Sequence, residues 1–282
     1  MNIYRLNWLA VTAGWALLSV GPLRGEDKPK ASLFPDKRLE AAVRKVVFEK
    51  RDNQEPITAE DAAKISTING SGMEITNLAG LENCRSLASL DLSKNQITDL
   101  TPIKDLANIQ YLNLAGNQIE DVAPLRGIAA LQYIELSANR VRDLEPLNAL
   151  TNLSALYLSR NQILDLSPLL NLSKLSSLYL DRNKLREITG LHKLKNLSSL
   201  SLAYNKLTDL SPLTGLDRMQ FLFLEGNELQ VFGPVYEMVT RDLESEQRFA
   251  PFINIYVAGN PLEALGWKQI ARLKEKGIKV EF

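Results

Sequence analysis

Seven asparagines recur along this chain at a constant interval of 22 residues. They are Asn95, Asn117, Asn139, Asn161, Asn183, Asn205 and Asn227. Each stands inside a similar segment, such as LNLAGNQIEDVAPL from Leu112 or LYLSRNQILDLSPL from Leu156. A fixed period of this size is typical of a solenoid, in which each repeat buries its apolar side against its neighbours. The period therefore predicts a stack of equivalent turns rather than one central globular core.

The general form of the repeat is L-x-x-L-x-L-x-x-N-x-I-x-D-L-x-P-L-x-x-L-x-x. Its x-L-x-L-x segment alternates with period two, which indicates a short strand with one buried face. In the second repeat we expect Leu112 and Leu114 to point inward and Tyr111 to point outward. Strands of successive repeats should then pair as one parallel sheet, about 4.8 Å apart.

The remaining motif positions predict a bend and a short helical turn. Each asparagine follows a strand where the chain leaves the sheet, and a buried amide can satisfy backbone groups that lack a sheet partner. We therefore expect the seven asparagines to form a buried structural ladder. The D-L-x-P-L segment predicts a helical turn on the opposite side, where Asp accepts from free N–H groups and Pro presets φ.

These residues resemble the leucine-rich repeat, and the 22-residue length with D-L-x-P-L is similar to the bacterial internalin class. The resemblance implies an α/β solenoid with a curved parallel sheet and short 3-10 or helical segments on its convex side. It also implies a helical N-terminal cap and an α/β C-terminal cap. It says less about function, because such repeats are a binding scaffold with many partners. We see no immunoglobulin-like module and no L-P-x-T-G signal, so host-cell adhesion is not implied.

The chain divides into four predicted regions. Residues 1–25 are expected to be a secretory signal, because Arg5 precedes an apolar run that is too short for a comfortable membrane span. An uncleaved anchor is the alternative. Residues 26–64 form a linker and helical cap, residues 65–235 form the repeats, and residues 236–282 contain a helical insertion, the last repeat strand and the C-terminal cap. We expect export to the periplasm, cell surface or medium, with no membrane span after signal removal.

Both caps carry local signals. Asp36 is a candidate N-cap before an amphipathic helix, and Thr58 with Asp61 forms a capping box before a second one. The interval from Asn227 to Asn260 is 33 residues, which is 11 longer than the repeat (33 − 22). We expect this insertion to contain a helix.

The sequence contains little that suggests catalysis or a cofactor. Lys+Arg and Asp+Glu are equal at 33 each, so no basic excess favours nucleic acid. His192 is the only histidine and falls at an expected solvated position, while the only cysteine, Cys84, takes the place of a buried leucine. No phosphate-binding, dinucleotide-binding or H-E-x-x-H motif is present. We predict a non-enzymatic protein without metal or cofactor.

One column of carboxylates is assigned to turn capping rather than to calcium. Calcium prefers six to eight oxygens, and the glycine-rich calcium-binding repeat is absent. The column consists of Asp99, Asp121, Asp143, Asp165, Glu187 and Asp209.

The outward strand positions vary from repeat to repeat. Seven of the 16 Phe and Tyr residues (8 + 8) fall there, where the core does not need them. Aromatic residues are enriched in protein interfaces, although neighbouring aromatic pairs also stabilise a sheet without any ligand. Arg160 and Arg182 are expected at the rim. The candidate partner-binding residues are Tyr111, Tyr133, Glu135, Tyr157, Tyr179, Asp181, Phe221, Phe223 and Tyr256.

The predicted function is an exported interaction module that binds a protein or peptide on the concave face of the solenoid. A glycan-binding module is one alternative, because stacked tyrosines also pack on sugar rings. A structural or regulatory subunit of an envelope assembly is another.

Overall fold

The computed structural model describes residues 32–282, so the predicted signal segment lies outside the described residues. Ten short strands form one parallel sheet in chain order, which confirms the predicted solenoid. The strands are β1 (Thr67–Asn69), β2 (Ser89–Asp91), β3 (Tyr111–Asn113), β4 (Tyr133–Glu135), β5 (Ala155–Tyr157), β6 (Ser177–Tyr179), β7 (Ser199–Ser201), β8 (Phe221–Phe223), β9 (Asn254–Tyr256) and β10 (Lys279–Glu281).

The sheet buries one side of every strand. Leu112 in β3 and Leu114 just after it are both fully buried, whereas Tyr111 and Asn113 flank Leu112 on the outward side and stay partly exposed. Neighbouring strands pair at equivalent motif positions, so that Leu112 lies between Leu90 and Ile134. Because the period is constant, equivalent residues of successive repeats stack on one another and form one continuous apolar core.

The side of each repeat opposite the strand is a short 3-10 turn. Thr101–Ile103 is one such turn, with Pro near its first position. Asp99 Oδ1 accepts a hydrogen bond of 2.8 Å from the Thr101 backbone N–H, as the capping assignment requires. In four further repeats the carboxylate accepts the equivalent N–H bond at 2.8–2.9 Å; these residues are Asp121, Asp143, Asp165 and Asp209.

The asparagine ladder is buried and satisfied, as predicted. The Asn139 amide donates to the carbonyls of Leu114 and Leu136, each at 2.9 Å, and its Oδ1 accepts from the Ile119 N–H at 3.0 Å. One side chain thus links two turns of the solenoid. Asn260 continues the ladder beyond the insertion by donating to the Leu224 carbonyl at 2.9 Å.

The N-terminal cap consists of α1 (Lys37–Arg44) and α2 (Ala59–Ala63). Asp36 accepts from the backbone of the first turn of α1, and Thr58 and Asp61 form the predicted capping box of α2. The second carboxylate oxygen of Asp36 also accepts from the N–H groups of Thr76 and Asn77, which joins the cap to the first repeat.

The C-terminal cap consists of α3 (Gly233–Leu243), α4 (Ala264–Glu275) and strand β10. The predicted insertion helix is α3, and its Val239 is fully buried. Gly277, at φ +88°, ends α4 and lets the chain turn into β10. Within residues 32–282, no helix has the length and apolarity that crossing a membrane would require.

Candidate functional site

The parallel register places the outward aromatic residues in two adjacent columns. Tyr111 and Tyr133 are direct cross-strand neighbours in the first column, and Tyr157 and Tyr179 are direct neighbours in the second. Tyr133 pairs with Ala155, so its ring reaches Tyr157 diagonally across the β4–β5 pair. Seven rings thus share one side of the sheet, and we call them the aromatic face: Tyr111, Tyr133, Tyr157, Tyr179, Phe221, Phe223 and Tyr256.

Six of these rings form an unbroken row. Their centroids are separated by 4.5 Å (Tyr111–Tyr133), 5.4 Å (Tyr133–Tyr157), 5.0 Å (Tyr157–Tyr179), 6.1 Å (Tyr179–Phe223) and 4.6 Å (Phe223–Tyr256). Phe221 joins at 6.5 Å from Phe223 and is 41% exposed. All these spacings lie within the range of favourable aromatic pairs, about 4.5–7 Å.

The row crosses β7 because that strand contributes only serines outward. Ser199 and Ser201 are buried, and the Tyr179 hydroxyl lies 2.7 Å from Ser199 Oγ. Small side chains leave room for the rings of β6 and β8 to meet above them. The row of rings therefore continues past β7, although that strand contains no aromatic residue.

Stacking partly removes the tyrosines from water. Burial raises the pKa of the Tyr133 hydroxyl, and the nearby carboxylate of Glu135 raises it further. Burial also raises the pKa of Tyr157. Both phenols, which are neutral at physiological pH even at the ordinary tyrosine pKa near 10, are held in that form as hydrogen-bonding groups. Glu135 Oε1 is fixed by the Ser137 N–H at 2.7 Å.

The second acidic candidate, Asp181, lies just beyond the second column. It accepts a hydrogen bond of 2.6 Å from the Ser159 hydroxyl and another from Ser201. Burial raises the pKa of this carboxyl above its ordinary value, and the serine hydroxyl bond only partly opposes that effect. Arg182 lies beside it, with its guanidinium 4.0 Å from the centroid of the Tyr204 ring.

Sequence reasoning missed two residues at this end of the face. Tyr204 occupies the motif position of Arg160 and Arg182, directly before an asparagine, and is 48% exposed. Glu225 occupies the same motif position as Asp181. The shared motif positions could have identified these two residues from the sequence. The side-chain directions that bring them together could not have been predicted from it.

The side chains considered for chemistry have other surroundings. His192 is exposed in the 3-10 turn Leu191–Lys193. Cys84 is fully buried, and burial raises the pKa of its thiol to about 12, so its reactive thiolate is disfavoured. Residues 32–282 contain no group of three or more His, Cys, Asp or Glu side chains placed to hold a metal ion.

Comparison with known proteins agrees with this architecture. A family described as "Leucine Rich repeats (2 copies)" matches residues 85–127, 107–149 and 129–171. The structure of internalin C2 from Listeria monocytogenes is 33% identical, with a TM-score of 0.70, and the match covers 73% of this chain and 91% of that chain. No curated protein sequence matches significantly.

Two more distant structures share the fold. The internalin inlF of Listeria monocytogenes is 23% identical over 89% of each chain, with a TM-score of 0.53. The ectodomain of the Arabidopsis thaliana receptor kinase GASSHO1/SCHENGEN3, solved in complex with CASPARIAN STRIP INTEGRITY FACTOR 2, is 21% identical with a TM-score of 0.56. That match covers 68% of this chain and 24% of the receptor chain. With its repeat, its asparagine ladder and its likeness to internalin C2, the chain belongs to the internalin-like family of bacterial leucine-rich repeat proteins.

Proposed function

We propose that this protein is an exported, non-enzymatic interaction module whose aromatic face binds a protein or peptide. Leucine-rich repeat proteins are typically interaction modules without catalytic activity, which supports the general class. The observation that favours the aromatic face is its continuous row of six rings across β3 to β9. Binding residues on a sheet scaffold are held in place by the strands beneath them, so the surface is preorganised.

The composition of the face is that of an interface core with a polar edge. Tyrosine provides apolar area together with a hydroxyl, and fixing its few rotatable bonds costs little conformational entropy. Glu135 shares the second column with Tyr157, Asp181 lies just beyond that column, and Arg160 and Arg182 follow on the loops next to it. Depleted charge at the centre with charged groups around it is the usual arrangement in protein interfaces.

The opposing interpretation is that the rings serve only to stabilise the sheet. Their stacking does contribute to stability, since an aromatic pair is worth about 0.5–1.5 kcal/mol beyond its buried area. The core beneath them is nevertheless complete without them, because the inward residues of β3 to β6 are all fully buried. Binding and stability are therefore expected to respond differently when the rings are removed.

The test is capture of partners from the envelope fraction of the exporting cell. Tyr133→Ala combined with Tyr157→Ala should abolish capture and shift the melting temperature by only a few degrees, because truncating a central aromatic anchor typically costs at least about 2 kcal/mol of binding. Phe48→Ala is the matched control, since Phe48 is 79% exposed on the N-terminal cap, away from the sheet. It should leave capture unchanged.

Two other outcomes would contradict the proposal. Unchanged capture with a large loss of stability would show that the tyrosines pack the sheet and do not bind. Capture that survives the double substitution but fails when the insertion Val231–Phe249 is shortened would place the binding surface on the C-terminal cap. Glycan binding would be recognised if partners survived protease treatment of the fraction but not periodate oxidation.

Export has a separate test. If the signal is removed near Gly25, the mature protein begins near Glu26 and retains one of the three tryptophans, Trp267, because Trp8 and Trp15 are lost. N-terminal sequencing of the envelope protein measures this directly. An intact Met1 terminus in membranes would favour an anchor, and full-length protein in the cytosol would exclude export.

A further inference from the structure

A cavity of about 270 Å³ adjoins the aromatic face at Phe223. Its volume lies below the range of about 300–1,000 Å³ that drug-sized ligands occupy, so it suits a single side chain. The residues that determine its chemistry are Asp181, Glu225, Phe223, Tyr204, Arg160 and Arg182.

The two carboxylates of this cavity lack an ion-paired cation among residues 32–282. Glu225 Oε2 is buried and has no hydrogen-bond partner among residues 32–282. Asp181 accepts hydroxyl bonds from Ser159 and Ser201, and nearby backbone N–H groups and the charge of Arg182 favour its ionised form without an ion pair. None of the ion pairs among the described residues includes either carboxylate. A buried carboxylate oxygen without a donor is unfavourable, and a ligand that supplies N–H groups would relieve this.

One of the two arginines that line the cavity, Arg182, stacks on an aromatic ring and forms no ion pair with the carboxylates. The Arg182 guanidinium lies 4.0 Å from the Tyr204 ring centroid. That ring packs directly over Gly226, where an added methyl group would lie only 2.5 Å from Tyr204 Cδ1. Arg182, Tyr204 and Gly226 therefore form a stacked wall of the cavity, and the guanidinium is held on the aromatic ring.

We infer that this cavity is a specificity pocket for a lysine or arginine side chain of the partner, an inference that rests on the aromatic face being the partner-binding surface. Glu225 and Asp181 supply charge-assisted acceptors for the ammonium or guanidinium group. Phe223 supplies an aromatic surface for its flat or aliphatic part. An acidic side chain would instead meet two carboxylates in a partly buried site.

The pocket is tested by NMR titration of the labelled protein with N-acetyl-L-arginine amide. The neutral isostere N-acetyl-L-citrulline amide and the acidic N-acetyl-L-aspartate amide are the comparison probes. Arginine amide should give saturable shifts at the backbone amides of Ala203, Tyr204 and Glu225, and the other two should not. Glu225→Gln should weaken its affinity about tenfold, the effect of losing one charge-assisted bond.

A matched variant and a fold check accompany this substitution. Glu237→Gln removes an exposed carboxylate from α3, which is neither on the aromatic face nor in the cavity lining, so it should leave arginine affinity unchanged. Preserved peak dispersion in the Glu225→Gln spectrum shows that the variant is folded. Equal shifts with citrulline amide, a response to aspartate amide alone, or no shift at the three amides would each overturn the pocket.

The outcomes separate this inference from the proposed function. Tyr133→Ala with Tyr157→Ala should abolish partner capture but leave arginine-amide binding unchanged, because those rings do not line the cavity. Tyrosine-dependent capture without any arginine response would leave the aromatic face as the binding surface and exclude the pocket. An arginine response together with tyrosine-independent capture would contradict the tyrosine row as the binding surface, and the pocket would then be part of the partner site only if Glu225→Gln abolished capture.

Discussion

The two sides of each strand differ in how much they repeat. On the inward side, the central residue is leucine, isoleucine or valine in all ten strands and is buried throughout. On the outward side, the first residue of the strand is serine, tyrosine, alanine, phenylalanine or asparagine from β2 to β9. The inward residues repeat because each turn packs against its neighbours in the same way. Variation outside is where information specific to this protein can reside.

The physical reason for the difference is packing density. Side chains inside the solenoid touch the turns before and after them, so a change in volume at one position affects three turns. Outward side chains have solvent on one side and can vary without leaving a cavity. Adjacent residues on one strand therefore allow the two sides to be compared directly.

The largest difference is expected between Leu156→Ala and Tyr157→Ala in β5. Leu156 is fully buried, and its truncation should cost about 2–5 kcal/mol of unfolding free energy through lost burial and a residual cavity. Tyr157 is half-buried and loses two ring contacts worth about 0.5–1.5 kcal/mol each, so its truncation should cost about 1–3 kcal/mol and leave no cavity in the core. Denaturant unfolding of both variants measures the difference. Equal losses would show that the aromatic face is part of the core.

A smaller effect is expected at the asparagine ladder. Asn139→Ala leaves the Leu114 and Leu136 carbonyls and the Ile119 N–H without their amide partner, at a cost of about 1–3 kcal/mol. Lys104 is exposed next to a 3-10 turn, so Lys104→Ala should change stability by no more than about 0.5 kcal/mol. Similar melting shifts in the two variants would contradict the structural role of the ladder.

Much of the fold follows from the period alone. A constant 22-residue interval determines the register of the parallel strands, and the register places Tyr133 diagonal to Tyr157. Local chemistry was also sufficient for the helix starts at Asp36 and Thr58. These features depend on short-range rules that are visible in the sequence.

Other contacts depend on side-chain directions that no repeat pattern specifies. The Tyr179–Phe223 contact spans β7 only because Ser199 and Ser201 lie beneath it. The cavity beside Phe223 is lined by Tyr204, which follows β7 and whose ring packs over Gly226.

The C-terminal insertion also contains a contact that the sequence pattern did not predict. Buried Asp242 accepts from the N–H groups of Phe249 and Ala250, although an acidic residue on a helix is ordinarily expected in solvent.

The smallest predicted effect concerns Asp181, an outward carboxylate whose burial lowers the stability of the folded protein. Burial raises the pKa of Asp181 in the folded protein above its unfolded value near 3.8. The ionised carboxylate therefore disfavours the native state, and this penalty is absent below the unfolded pKa and grows as pH rises through the folded pKa. Asp181→Asn should consequently raise the melting temperature slightly at pH 7 and leave it unchanged near pH 3.

Asp99 on the turn side provides the control of opposite sign. Hydrogen bonds from the Thr101 hydroxyl and N–H lower the pKa of Asp99, so its stabilising contribution is present above pH 3.8 and is lost as pH falls through the folded pKa. Asp99→Asn should therefore lower the melting temperature at neutral pH. If Asp181→Asn did the same, the serine hydrogen bonds of Asp181 would outweigh its burial, and its carboxylate would be structural. A rise instead means that Asp181 is kept despite its cost, as expected of a residue that serves binding.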